Sequence, residues 1–178
     1  VSTVVSLQAI PMPVPHTRPV TVTAHATRRS LIAEYPVYWG EMRIPGTVSA
    51  LLELKLGEAG VDASGVAAHV PHYLAQATYP AASITLLEHV ERLTGLHLPA
   101  ESLQEAAQAN RTDIDEQISR SPENTAVVAA LEQQFDAFTA AREENGLLGE
   151  SGELPSGEDL ASEFERFLAD QDRKRPRD

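Results

Sequence analysis

The chain has 178 residues, 42% apolar and 22% charged, an ordinary globular composition and long enough for one domain with its own core. Its 26 acidic and 14 basic side chains leave a net charge of −12, which speaks against a nucleic-acid partner, since affinity for a polyanion comes from Lys and Arg neutralising phosphates. The absence of Cys excludes disulfides, thiolate catalysis and Cys-based metal sites, and with no long apolar run or signal-peptide pattern the expectation is a cytoplasmic protein without membrane contact.

The opening run VSTVVSLQAI is apolar and β-branched with no turn signal before it. It predicts a central strand entered without its preceding connection, so that earlier strands and helices of the fold are expected to be missing. Pro11, Pro13, Pro15 and Pro19 make Ile10 to Pro19 an extended connector, because each Pro lacks a ladder donor; it carries His16 and Arg18. Val20 to His25 alternates as a half-covered strand does, and a helical turn at Ser30–Ile32 is stopped by Pro36. Val37 to Ile44 predicts a further strand. After Pro45-Gly46, Thr47 is placed to cap a helix whose apolar residues are Val48, Leu51, Leu52, Leu54 and Leu56, with Gly57 and Gly60 at its end.

Asp62 to Gly65 reads as a turn and Val66 to Val70 as a short strand closed by Pro71. The chain then passes His72, Tyr73 and Tyr79 to Pro80, suited to a first helical position, and Gly95 ends that helix. Strand, helix, strand, helix over residues 37–95 predicts parallel strands, a right-handed crossover and the α/β class. The turn after Val70 falls at the carboxyl end of a strand, where open α/β sheets place ligand sites.

Beyond Gly95 the pattern is helical. Leu103, Ala107, Asn110, Ile114 and Ile118 step by three and four, as do Val127, Leu131, Phe135 and Phe138, predicting a hairpin joined through Ser119 to Pro122. The expected organisation is an α/β sheet region over 1–99, a helical hairpin over 100–145, a linker over 146–156, and a terminal amphipathic helix with Leu160, Phe164, Phe167 and Leu168 plus a charged tail over 157–178. Residues 1–100 carry −1 (seven acidic, six basic) and residues 101–178 carry −11 (nineteen acidic, eight basic), so the helical part is the acidic one.

The chemistry-bearing residues form one candidate ligand pocket of His16, Arg18, His69 and His72. An Arg fork matches a phosphate or carboxylate, and Arg28 and Arg29 lie nearby in sequence. Hydrogen bonding in the strand-end turn is the favoured role of His69 and His72, since they straddle Pro71 and lack the geometry of a helical metal pair; no metal site is assigned. Glu88 with Glu91, and Asp113, Asp115 and Glu116, sit on amphipathic helices where charges normally face water, and receive no catalytic role. There is no GxSxG, Walker loop, GxGxxG or HExxH, so no catalytic residue and no cofactor are assigned.

The segments SLQAIPMPVPHTRPVTVTAHAT, IPGTVSALLELKLGEAG, GVAAHVPHYLAQATYPAASITLLEHVERLTGLHLP and LPSGEDLASEFERFLADQ together resemble the C-terminal part of bacterial members of the proteasome assembly chaperone family. The resemblance covers nearly the whole chain, and HVPHYLA with its following helix is its most specific piece. It implies a partial three-layer α/β/α domain of the nucleoside phosphorylase/hydrolase-like kind, common self-association and a non-enzymatic holding role; it transfers no catalytic residue. Members are longer at the amino end, in keeping with the abrupt start. Chaperones of this kind can dock on the proteasome through a C-terminal hydrophobic-Tyr-any-residue tail, whereas this sequence closes Arg175-Pro176-Arg177-Asp178, and docking by that route is not expected.

The leading expectation is therefore a non-enzymatic protein-binding or assembly protein whose partner is a protein or a second copy of itself. The alternative is a nucleoside- or phosphate-handling enzyme on the same scaffold, which rests on fold analogy.

Overall fold

The computed structural model describes residues 3–33, 35 and 47–148, with side chains through residue 141. The expected strand at 37–44, the terminal helix and all of the linker but residues 146–148 lie outside the described residues; those three continue the last helix instead of starting a linker. The chain divides after Asp136 into two units, and the second contributes only the last stretch of one helix to the described residues.

Three strands, β1 (Thr3–Met12), β2 (Val22–Ala26) and β3 (Asp62–Pro71), form one sheet in the order β1-β3-β2. β1 and β3 are parallel from Thr3↔Asp62 to Met12↔Pro71, while β2 runs antiparallel to β3 from Val22↔Ala68 to Ala26↔Ser64. The helices are α1 (Val48–Glu58), α2 (Pro80–Thr94), α3 (Glu101–Ser119) and α4 (Pro122–Leu148), with short 3-10 turns at Arg29–Ile32 and His72–Leu74. The described residues thus form a mixed α/β arrangement with a three-stranded sheet and several helices.

Among the described strands β3 is the middle one. Residues Ala63 to Pro71 are all buried, as expected for a strand covered on both faces and hydrogen-bonded on both edges. β1 lies at one edge, leaving Leu7 and Ile10 more than two-fifths exposed. It also runs two residues past Ile10, through Pro11, to Met12, and among the described strands only β3 pairs with it.

The stretch Asp62 to Gly65 belongs to β3 rather than to a turn. The reversal comes earlier, at Gly60, whose φ of 74° suits a residue without Cβ. Ala63 is then pinned to Thr27 in both directions: its N–H donates to Thr27 Oγ1 at 3.0 Å and its carbonyl accepts from Thr27 N–H at 2.8 Å.

The core of Val22, Val66, Ala68, Val70 and Ala82 sits between the sheet and α2, with Val20, Leu74, Tyr79, Leu86 and Leu93 packed around it. Burying each Val or Leu there is worth about 1.5–3 kcal/mol. Pro80 opens α2 and Gly95, at φ 72°, closes it, its N–H donating to the Glu91 carbonyl at 2.7 Å. Thr47 caps α1, its hydroxyl accepting from Ala50 N–H at 3.1 Å.

The exposed face of α1 is the opposite of what its composition predicts. Val48, Leu51, Leu52 and Leu54 are 85%, 57%, 53% and 58% exposed, while Glu53 is buried. The Glu53 carboxylate accepts from Ser6 Oγ of β1 and pairs with His25 Nε2 of β2 at 2.7 Å. Ser6, Gly65 and His25 are neighbours in one row across the sheet, and the carboxylate lies over the glycine between them.

Candidate functional site

The segment from Val14 to Thr21 leaves the end of β1 and reaches across to the helices that follow β3. His16 anchors it. The imidazole is almost wholly enclosed, with Nδ1 2.7 Å from Tyr73 Oη and Nε2 2.9 Å from Asp115 Oδ1; the His16 backbone N–H also donates to Tyr73 Oη, at 2.9 Å. One assignment satisfies every atom. Nε2–H donates to the carboxylate, Nδ1 accepts from the phenol, and the phenol oxygen accepts from the backbone. Burial pushes the Tyr73 hydroxyl up to about 12, so it stays a neutral donor and does not serve as a base near neutral pH.

Arg18 is committed in the same manner. Its Nε and Nη2 donate to the two oxygens of Asp136 at 2.7 Å each, and Nη1 donates to Glu132 Oε1 at 3.3 Å, while the Thr17 hydroxyl donates to the same Glu132 oxygen. This fork holds the guanidinium above its usual range and the Asp136 carboxyl below its own, the shared hydrogen bonds being the main cause. An anion arriving here would have to displace two carboxylates.

Beside this segment lies an open cleft of about 700 Å³, walled by α2 and α3. His16, Arg18 and Val20 form one side; Ile84, Thr85, Glu88 and His89 come from α2, and Gln104, Ala107, Gln108 and Arg111 from α3. A smaller groove of about 260 Å³ holds His72 and Tyr73 with Ile114, Ile118, Val127 and Val128. Of the four residues expected to share a pocket, the structure brings His16 and Arg18 together in the cleft and places His72 in the separate groove. His69 is buried within the sheet, its Nδ1 2.8 Å from Thr21 Oγ1 and its Nε2 2.8 Å from Thr23 Oγ1. Burial lowers its pKa and keeps it neutral.

Sequence reading did not select Tyr73, Glu132, Asp136, Arg111 or His89. His16 meets Asp115 across 99 positions and Arg18 meets Asp136 across 118, so no local spacing reports these pairs. His89 is the exception in kind: it lies on the buried side of a legible helix, where a polar residue demands a partner. It has one in Tyr35 Oη, 2.7 Å from Nδ1, with Arg92 Nη1 at 3.3 Å from the same atom. Among the described residues no group of three or more His, Asp or Glu side chains is placed to hold a metal ion, and no helix is long and apolar enough to cross a membrane.

Comparison with known proteins places this geometry in a family. A protein of unknown function from Mycobacterium tuberculosis is 46% identical, with 83% of this chain and 50% of that one aligned at a TM-score of 0.80. A second protein of unknown function, from Corynebacterium glutamicum, is 39% identical over 77% of this chain and 51% of its own, at 0.72. A proteasome-assembly chaperone homologue from Mycobacterium tuberculosis is 30% identical over 71% of this chain and 54% of that one, at 0.64. The chain therefore spans about half the length of these relatives. No match was found among curated proteins. The PAC2 family model matches residues 1–118, which takes in the sheet, α1, α2, the His16 segment and nearly all of α3, and the chain belongs to the PAC2 family.

Proposed function

We propose that the protein is a non-enzymatic binding component of the assembly-chaperone kind, working in the cytoplasm and associating through apolar surface with itself or with a protein partner. The observation that carries this reading is α1. A helix that turns its only buried residue, Glu53, inward to tie β1 and β2 together leaves Val48, Leu51, Leu52 and Leu54 facing outward. Contiguous apolar surface of this sort marks interaction sites more often than scattered single residues do. Family membership and the likeness to a proteasome-assembly chaperone homologue support the same class of role.

The reading extends to the architecture: in a chain of the relatives' length the sheet would carry helices on both faces, as a three-layer α/β/α domain of the phosphorylase kind. The phosphate-handling alternative draws less support, because the fork of Arg18 is already occupied by Asp136 and Glu132.

The test is co-purification of the protein at its native length from its own cells, joined to sedimentation analysis of the wild type and of a Leu51→Glu, Leu54→Glu variant. Self-association or a recovered protein partner that the double substitution weakens is expected. A wild type that stays monomeric at high concentration and brings down no partner would overturn the proposal.

A further inference from the structure

The cleft between α2 and α3 has a property that the assembly role does not use. Its walls carry opposite charges that are not spent on each other. Arg111, on α3, is exposed, and its ion-pair contact is a distant one, Nε to Asp115 Oδ2 at 3.9 Å, with that aspartate already accepting from His16. Glu88, on α2, lines the same cleft and makes no ion pair or hydrogen bond among the described residues.

A third group comes from His89, which lines the cleft yet is only 8% exposed. Arg92 can only donate, so its approach to Nδ1 at 3.3 Å makes that nitrogen the acceptor and leaves the proton on Nε2, which has no partner among the described residues. Burial, reinforced by Arg92, lowers the pKa of the ring and keeps it in this neutral form. Ile84 and Val20 add apolar surface to the lining, and a volume of about 700 Å³ falls within the range of small-molecule sites, roughly 300–1,000 Å³.

We propose that this cleft binds a small amphipathic zwitterion of the short-peptide class, its carboxylate on Arg111, its protonated amine on Glu88, its apolar body against Ile84 and Val20, and a backbone carbonyl accepting from His89 Nε2–H. A simple anion would meet Glu88 and a simple cation Arg111, each at an electrostatic cost; a molecule carrying both charges satisfies both walls. The site is independent of α1 and does not rest on the assembly role.

Calorimetric titration with trileucine bearing free termini tests it, against N-acetyl-trileucine amide, which has the same apolar body and no charges. Free trileucine is expected to bind at least about tenfold more tightly than the capped peptide. Arg111→Gln and Glu88→Gln are each expected to weaken it about tenfold, the scale of one charge-assisted hydrogen bond. Both residues are exposed, so the variants should keep the wild-type circular dichroism spectrum and urea midpoint. Equal binding of free and capped peptides, indifference to both substitutions in folded protein, or no binding of trileucine at millimolar concentration would each overturn the proposal.

Discussion

At Gly65 an added Cβ would collide with the His25 ring and stand 2.8 Å from Glu53 Oε1. The glycine is there for space, not for backbone freedom, since its φ is that of an ordinary strand residue. Removing that space displaces the carboxylate that joins β1, α1 and β2, so Gly65→Ala is expected to cost about 1–3 kcal/mol by strain, measured by urea unfolding. An unchanged midpoint would show that Glu53 is free to move aside. The same economy holds at His16, where a buried ring is acceptable because Asp115, Tyr73 and one tautomer meet its two nitrogens. Gly65, His16 and Arg18 can all be seen in the sequence; what each is for cannot, because the partners are tens of positions away.

At the scale of elements, local chemistry and structure agree where the determining groups are neighbours in the chain. α2 begins at Pro80 and ends at Gly95, and α1 begins at its Thr47 cap, as the residues themselves imply. Gly95 at φ 72° has open space around its Cβ position, so Gly95→Ala isolates the backbone term. It should lower stability by about 1 kcal/mol, and a thermal melt that does not shift would contradict a left-handed cap.

Agreement fails where burial is settled by other elements. The leucines of α1 predict an inward apolar face, yet Glu53 wins the inner position because Ser6 and His25 together satisfy its charge. The start of β3 reads as a turn from its Asp, Ser and Gly, but pairing with β1 along Asp62 to Gly65, joined by β2 at Ser64 and Gly65 and by Thr27 at Ala63, holds it extended.

At the scale of the whole molecule, buried histidines set the acid response. His69 and His89 both have folded pKa values lowered by burial, below the unfolded value near 6.5. The unfolded chain therefore takes up protons that the folded one refuses. Stability should hold steady above about pH 6.5 and fall as the pH drops below it, by at most about 1.4 kcal/mol per pH unit for each histidine. The lowered carboxyls of Asp62 and Asp136 act elsewhere: their contribution is complete above about pH 4 and is lost below it. Urea midpoints compared at pH 7.5 and 5.5 check the histidine window, and a midpoint that rises on acidification would contradict it.

By itself the sequence determined the class of the molecule, an acidic α/β chain without cysteine, the helix boundaries marked by Thr47, Pro80 and Gly95, and the family, carried above all by the HVPHYLA segment. These depend on composition and on chemistry between neighbours, which a linear reading sees directly. Only the tertiary structure decided that β3 is the middle one of the described strands, that His16 and Arg18 close onto Asp115, Glu132 and Asp136, that His69 and His72 part company, and that α1 faces outward. Each of these outcomes is a competition for burial and for hydrogen-bond partners between distant segments, and such a competition has a winner only when the segments are brought together.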